Sequence, residues 1–222
     1  MDIINPDMKD IAIYGAGGFG REIACLIGII NKQQPTWNLV GFFDDNVLLK
    51  GQAVSHYGHC IGGLNELNMY ERTIALVISI GNPKVVKKIV ESITNPNVCY
   101  PNIIHPDFII KDPETFSIGQ GNIIQDGCSV SCNVSIGDFN ILNGGVVFGH
   151  DDNVGSYNAF MPAIRVSGGV TIGDTNFFGV GSIVLQQIKI GNEVRLGAGS
   201  VLMSKPKDGK LYIGNPAKII EL

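Results

Sequence analysis

The run Gly149, His150, Asp151, Asp152 carries the side chains best suited to moving a proton. An imidazole can take a proton from an attacking nucleophile near neutral pH, and an adjacent carboxylate can hold its tautomer and stabilise the resulting imidazolium. Asp151 and Asp152 are both close enough in sequence to be that carboxylate, and spacing alone leaves the choice open. A second constellation has different chemistry. Gly15, Gly17 and Gly20 satisfy GxGxxG, with Gly18 between them, after the strand-like run Lys9 to Tyr14 and before a helix-like run starting at Arg21. Glycines there let backbone approach a phosphate, and a helix N-terminus offers free N–H groups and a positive dipole end. The next strand-like run, Leu39 to Phe43, ends in Asp44 and Asp45, where α/β nucleotide folds often present a carboxylate to a ribose or base.

The element that must position His150 is periodic. From Ile118 to Leu202 every sixth residue is aliphatic or Phe, fifteen positions in succession. A period of six fits neither a helix nor an alternating strand, but it fits a coil in which each hexad makes one short strand and one turn. Three hexads would close a triangular turn, which requires a superimposed period of eighteen. That period is present in Gly119, Gly137, Gly155, Gly173 and Gly191, and again in Gly127, Gly145, Gly181 and Gly199, where Ala163 interrupts the series. Asn122, Asn140, Asn158 and Asn176 form a third series, two residues before an apolar position, so alternation points them inward. Coils stacked about 4.8 Å apart would let those amides form a ladder.

The remainder of the chain frames these elements. A content of 45% hydrophobic residues in 222 supports two modest cores, and no apolar run reaches membrane-spanning length. The N-terminus lacks a basic region followed by an apolar core, so a soluble, cytoplasmic protein is expected. Five cysteines without a CxxC pair argue against a disulfide framework and a four-cysteine zinc site, and the loop from His56 to Cys60 lacks a fourth ligand. A net charge of −4 argues against nucleic acid as a general partner. The charge is uneven, at −7 over residues 1–159 and +3 over residues 160–222, and the basic end suits a polyanionic ligand. Residues 73–80 read as a buried parallel strand, followed by a helix. The expected fold is therefore an α/β Rossmann-like half-domain over residues 1–104, followed by a parallel β-helix over residues 105–222.

The Ile-Gly repeats at 135–140 and 171–176, with Gly214 to Lys218 near the end, resemble the hexapeptide-repeat acyltransferases. The glycine-rich start, the Asp44–Asp45 pair, the Gly81–Asn82–Pro83 turn, the His105–Pro106 connector and the Gly149–His150–Asp151 run narrow the resemblance. They are similar to the sialic acid O-acetyltransferase group and the bacterial nucleotide-linked amino-sugar N-acetyltransferases. This resemblance implies a left-handed β-helix, a homotrimer, acetyl-CoA lying along the β-helix between subunits, and an activated nucleotide sugar held by the N-terminal domain. It implies that Gly15, Gly17, Gly18, Gly20, Asp44 and Asp45 bind the substrate, and that the reaction belongs to bacterial surface glycan biosynthesis.

Acetyl transfer from a thioester needs a base and N–H donors for the tetrahedral oxyanion. His150 is the sole histidine of the coil region and falls in the turn part of its hexad, so it is expected to point outward as the base, with Asp151 at the resembling family's carboxylate position. Gly168, eighteen residues on, would present its N–H to the thioester, or else is a turn glycine without a ligand. Arg195, Lys205 and Lys218 are the expected coenzyme A contacts, and no metal is expected. Two departures from the resembling family stand out: Asp152 occupies a position where a small inward residue is expected, and Ala159 a position that is often a second histidine. Sugar O-acetylation, a nicotinamide-dependent oxidoreductase and a non-catalytic nucleotide-binding trimer are the competing functions.

Overall fold

The computed structural model describes residues 8–221, which divide into two compact units. One takes the chain up to Gly81 together with Val85–Pro106, and the other takes Asn82–Lys84 together with the chain from Asp107 onward. In the first unit five strands form one parallel sheet in the order β3-β2-β1-β4-β5. They are β1 (Lys9–Tyr14), β2 (Trp37–Phe43), β3 (Cys60–Gly62), β4 (Ile74–Ile78) and β5 (Val98–Cys99). All five residues of β4 are buried, as its unbroken apolar run requires. Three helices connect the strands: α1 (Gly18–Gln33), α2 (Leu64–Asn68) and α3 (Pro83–Ser92). Helix α1 buries Ile23, Ala24, Leu26 and Ile27, one stripe of a 3.6-residue period, and stops at Gln34, which precedes Pro35. The two-residue β5 and three-residue β3 widen the sheet on both sides, so the half-domain is broader than its three strong strands suggest.

In the second unit two-residue strands repeat with the expected spacing and close three parallel faces of a β-helix. The first face runs through Ser117–Ile118, Ser135–Ile136, Asn153–Val154, Thr171–Ile172 and Lys189–Ile190. The second runs from Ile123–Ile124 through Ala159–Phe160 to Arg195–Leu196 and then a C-terminal hairpin of Leu211–Gly214 and Ala217–Ile220. The third runs from Ile109–Ile110 through Val147–Phe148 to Val201–Leu202. Register is eighteen residues from Ser117 to Leu202, with Ile136 opposite Val154 and Val154 opposite Ile172, and it departs from eighteen only at the ends, where Ser129 faces Ile109 and Arg195 faces Leu211. The inward apolar residues stack into a continuous core in which the Phe160 and Phe178 rings lie 4.6 Å apart, nearly parallel.

The corners explain the glycine series in two different ways. Each corner contains one residue per coil in the left-handed region, such as Asn133, Asp151, Gly169 and Gln187 at φ 55°, 60°, 73° and 62°. The Gly127 series is of this kind, and Ala163 keeps it at φ 63°. The Gly119 series is not. Its glycines are required by close approach: a Cβ on Gly137, Gly155 or Gly173 would stand 2.6–2.7 Å from the carbonyl oxygen of the glycine one coil on.

The asparagine ladder forms as its spacing demands. Asn140, Asn158 and Asn176 each donate from Nδ2 to the Oδ1 of the asparagine one coil earlier, at 3.0–3.1 Å. Each also donates to the carbonyl fifteen residues on, at 2.9 Å to Gly155, Gly173 and Gly191. Each Oδ1 accepts from the backbone N–H eighteen residues on. These side chains are fully buried, so a rung removed leaves donors and acceptors without water to replace it. Asn158→Leu is expected to lower unfolding free energy by on the order of 3 kcal/mol. Urea denaturation measures this; a loss below about 0.5 kcal/mol would mean the ladder is decorative.

Candidate active site

His150 sits at the corner between the third-face strand Val147–Phe148 and the first-face strand Asn153–Val154. The left-handed turn at Asp151 directs its carboxylate back beside the ring, and Asp151 Oδ2 lies 2.6 Å from His150 Nδ1. Both side chains are more than half exposed, at 64% and 55%, so the imidazole faces solvent as expected. Asp151 Oδ1 accepts a 2.7 Å bond from Asn133 Nδ2, one coil earlier. Those two bonds, Asn133 first and His150 second, hold the Asp151 carboxyl below its ordinary range, so it remains ionised. An ionised partner at Nδ1 makes that nitrogen the protonated one and leaves Nε2 free to accept.

Gly168 lies against the other side of the ring. A Cβ there would fall 2.5 Å from His150 Nε2, so glycine is needed for the imidazole to keep its place. The choice between the two carboxylates is resolved: Asp151 holds the ring, whereas Asp152 turns inward and is buried, its Oδ1 accepting from Val170 N at 2.8 Å. Ala159 is buried on the second face, between Ile141 and Phe177 in register.

The basic residues do not converge on this corner. Arg195 and Lys218 both stand on the second face, Arg195 opposite Phe177 and Lys218 in the C-terminal hairpin opposite Ile213. Lys205 differs, because Ser204 continues the series His150, Gly168 and Gln186 at eighteen-residue spacing. That puts Lys205 beside the same corner about 14 Å along the axis, three coils at about 4.8 Å each.

In the N-terminal unit the glycines split by role. Gly15 has φ 110° and donates to the Phe43 carbonyl at 2.7 Å, while Ser79 Oγ donates to the Gly15 carbonyl at 3.0 Å. A Cβ on Gly20 would stand 2.0 Å from the Gly15 oxygen, so this glycine lets α1 pack on the strand end. Gly17 caps α1 without a side-chain bond, and a Cβ on it meets nothing within 4 Å; one on Gly18 would meet the Arg21 guanidinium at 3.9 Å. These two, at the head of a sixteen-residue helix, are the glycines of this loop that are not closely packed. Asp44 Oδ2 accepts from Ala16 N at 2.9 Å, which ties the carboxylate to the glycine loop. Asp45 Oδ1 accepts from the Tyr14 hydroxyl at 2.6 Å, and burial together with that bond pushes the phenol's pKa well up.

A cavity of about 600 Å³ opens at the carboxyl ends of β2 and β3, lined by Asp44, Asp45, Lys50, Gly63, Glu66 and Lys88 among others. Glu66 accepts from Lys50 Nζ at 2.6 Å and from Gly63 N at 2.8 Å, and its pKa falls to about 2. Sequence reasoning missed Asn133, Lys50 and Glu66. Asn133 was within reach of it, since it stands eighteen residues before Asp151; the Lys50–Glu66 pair carries no local pattern.

Residues 10–93 match the family model of the PglD N-terminal domain. No curated protein matches the sequence. The solved acetyltransferase domain of PglB from Neisseria gonorrhoeae is 27% identical, with a TM-score of 0.86 over 96% of this chain and 100% of that one. PerB from Caulobacter crescentus, in complex with CoA and GDP-perosamine, is 26% identical, with a TM-score of 0.82 over 96% and 97% of the two chains. WeeI from Acinetobacter baumannii is 25% identical, with a TM-score of 0.84 over 96% and 100%. The likeness to solved sugar acetyltransferases therefore extends over both units, and the fold is that of these structures.

The two kinds of glycine separate by stability. Gly17→Leu is expected to lower the unfolding free energy by no more than about 1 kcal/mol, the cost of a poorer helix cap, whereas Gly20→Ala should cost about 1–3 kcal/mol or more by overpacking. Equal losses in the two variants would show that the open side of Gly17 is not open.

Proposed function

We propose that this chain is an acetyl-CoA-dependent N-acetyltransferase acting on an amino group of a nucleotide-linked sugar, in the assembly of bacterial surface glycans. The observation that carries the reading is the His150–Asp151 pair closed against Gly168 at a β-helix corner. The same chain carries a glycine-rich α/β unit, the arrangement of solved structures that hold acetyl coenzyme A in PglB and CoA with GDP-perosamine in PerB. Nitrogen is preferred to oxygen as the acceptor because a structure 25% identical over 96% of this chain is a perosamine N-acetyltransferase. A nicotinamide reaction would leave the His150 corner without a role.

In this reading the sugar amine attacks the thioester carbonyl while His150 Nε2 removes its proton. Asp151 keeps the proton of the neutral ring on Nδ1 and stabilises the imidazolium. The Gly168 N–H faces the developing oxyanion. As the carbon–sulfur bond breaks, the CoA thiolate leaves and takes the proton from His150. Lys205, along the same corner, meets the phosphates of the donor. Arg195 and Lys218 stand on another face, so they would reach coenzyme A only from a neighbouring subunit. A homotrimer supplies that neighbour, and the large apolar side chains of Ile109, Val180 and Met203, each about half exposed, suit such burial. Gly17 and Gly18 at the head of α1 receive the diphosphate, and the cavity beside Asp44 and Asp45 receives the nucleoside. No helix is long and apolar enough to cross a membrane among the described residues, which suits a cytoplasmic enzyme using soluble substrates.

A thiol-release assay of acetyl-CoA against nucleotide-linked amino sugars tests the whole reading. With the accepted sugar, His150→Ala should lower kcat by about 10² to 10⁴ with the fold intact. Gly17→Leu should raise the sugar's KM and leave that of acetyl-CoA unchanged. Near-normal turnover by folded His150→Ala would remove the histidine from the mechanism, and a monomer by light scattering would remove the intersubunit donor site.

A further inference from the structure

Asp152 is a buried carboxyl that the mechanism above does not use. It occupies the hexad position of the ladder asparagines, two residues before an inward apolar side chain, at a corner whose neighbouring coils carry Val134 and Val170. Its Oδ1 accepts from the N–H eighteen residues on, as each ladder Oδ1 does. That leaves Oδ2 in the place of the asparagine Nδ2, where it is buried with no hydrogen-bond partner.

At this hexad position the second polar atom of each ladder asparagine meets the carbonyl fifteen residues on, whereas the buried Ser182 hydroxyl meets no partner. The three asparagines donate there, and so does Cys128 Sγ, to the Asn143 carbonyl at 3.2 Å. For Asp152 the fifteenth residue is Ser167, whose carbonyl belongs to the peptide bond that carries the Gly168 N–H. A carboxylate oxygen would repel that carbonyl, whereas a neutral carboxyl would donate to it.

We propose that Asp152 is held as the neutral acid, donating from Oδ2 to the Ser167 carbonyl, and acts as a positioning residue for the Ser167–Gly168 peptide beside His150. The role of that peptide in acyl transfer rests on the function proposed above; the protonation state does not. Burial raises the Asp152 pKa from 3.8 to about 6, against the lowering effect of backbone N–H bonds. A bond donated by the neutral form adds to the rise. The charged groups acting on it are His150 and Asp151 of its own turn, with opposite effects, while Val134 and Val170 from the adjoining coils bring none.

A group with a raised folded-state pKa favours the folded protein fully below its unfolded pKa and loses that contribution as pH rises through the folded value. Asp152→Asn supplies the amide donor permanently. It should match the parent in kcat near pH 6.5, abolish a fall in kcat toward alkaline pH, and raise the thermal midpoint at pH 8 more than at pH 4. Asp152→Val, which copies Val134 and Val170, should fold and lower kcat about fivefold to tenfold at unchanged acetyl-CoA KM. Infrared difference spectra of the resting protein against Asp152→Asn should show the carbonyl band of a protonated acid at pH 5, where an ordinary aspartate is ionised. That measurement needs no substrate, so it tests the neutral acid even if acetyl transfer proves wrong. Absence of the band at pH 5, or an alkaline fall in kcat that persists in Asp152→Asn, would overturn the proposal.

Discussion

Everything at the His150 corner depends on the hydrogen-bonded stacking of one coil on the next at a spacing of eighteen residues. Backbone bonds such as Gly149 N to the Val166 carbonyl and Gly169 N to the His150 carbonyl, at 2.9 and 2.7 Å, fix how far apart successive corners lie. The asparagine ladder adds a buried side-chain line parallel to that direction, with no slack for a coil to slip. Slippage by one residue would send each inward apolar side chain outward, so the register is strongly specified.

From that constraint the geometry of the corner follows. Asn133, Asp151 and Gly169 stack because they occupy equivalent left-handed positions in successive coils. The stacking brings the Asn133 amide to Asp151 and, one residue away, the Gly168 backbone to the imidazole. The His150–Asp151 pair is thus oriented by coils on both sides of it and not by its own turn alone. A loop could present the same residues, but a corner locked by its neighbours holds them with little reorganisation, which is where positioned bases and N–H donors draw their effect.

The N-terminal unit is built on a different economy. Its glycine loop is held by packing on one side, through Gly15 and Gly20, and left open on the other, through Gly17 and Gly18. Asp44 closes that loop by accepting from Ala16 N, so one carboxylate both shapes the turn and borders the cavity. The Lys50–Glu66 pair at that cavity brings charge of both signs to its rim.

The sequence by itself determined the coil, its register and its core, because six- and eighteen-residue periods survive in the identities of Ile136, Val154, Asn140 and Gly155 wherever a buried or crowded position excludes other side chains. It also singled out His150 and the glycine loop, since both use residue types whose chemistry is local. It showed the Gly119 and Gly127 series alike as eighteen-residue repeats without separating close approach from left-handed turns; that distinction lies in φ and in the next coil's backbone, which no single strand records. The tertiary structure alone decided that Asp151 meets the imidazole while Asp152 is buried, because one left-handed residue turns the first outward and returns the second to the core. It alone decided that Arg195 and Lys218 stand on a different face from His150, since charge is read along the chain but ligands meet surfaces, and residues far apart in sequence share a face through the coil's closure.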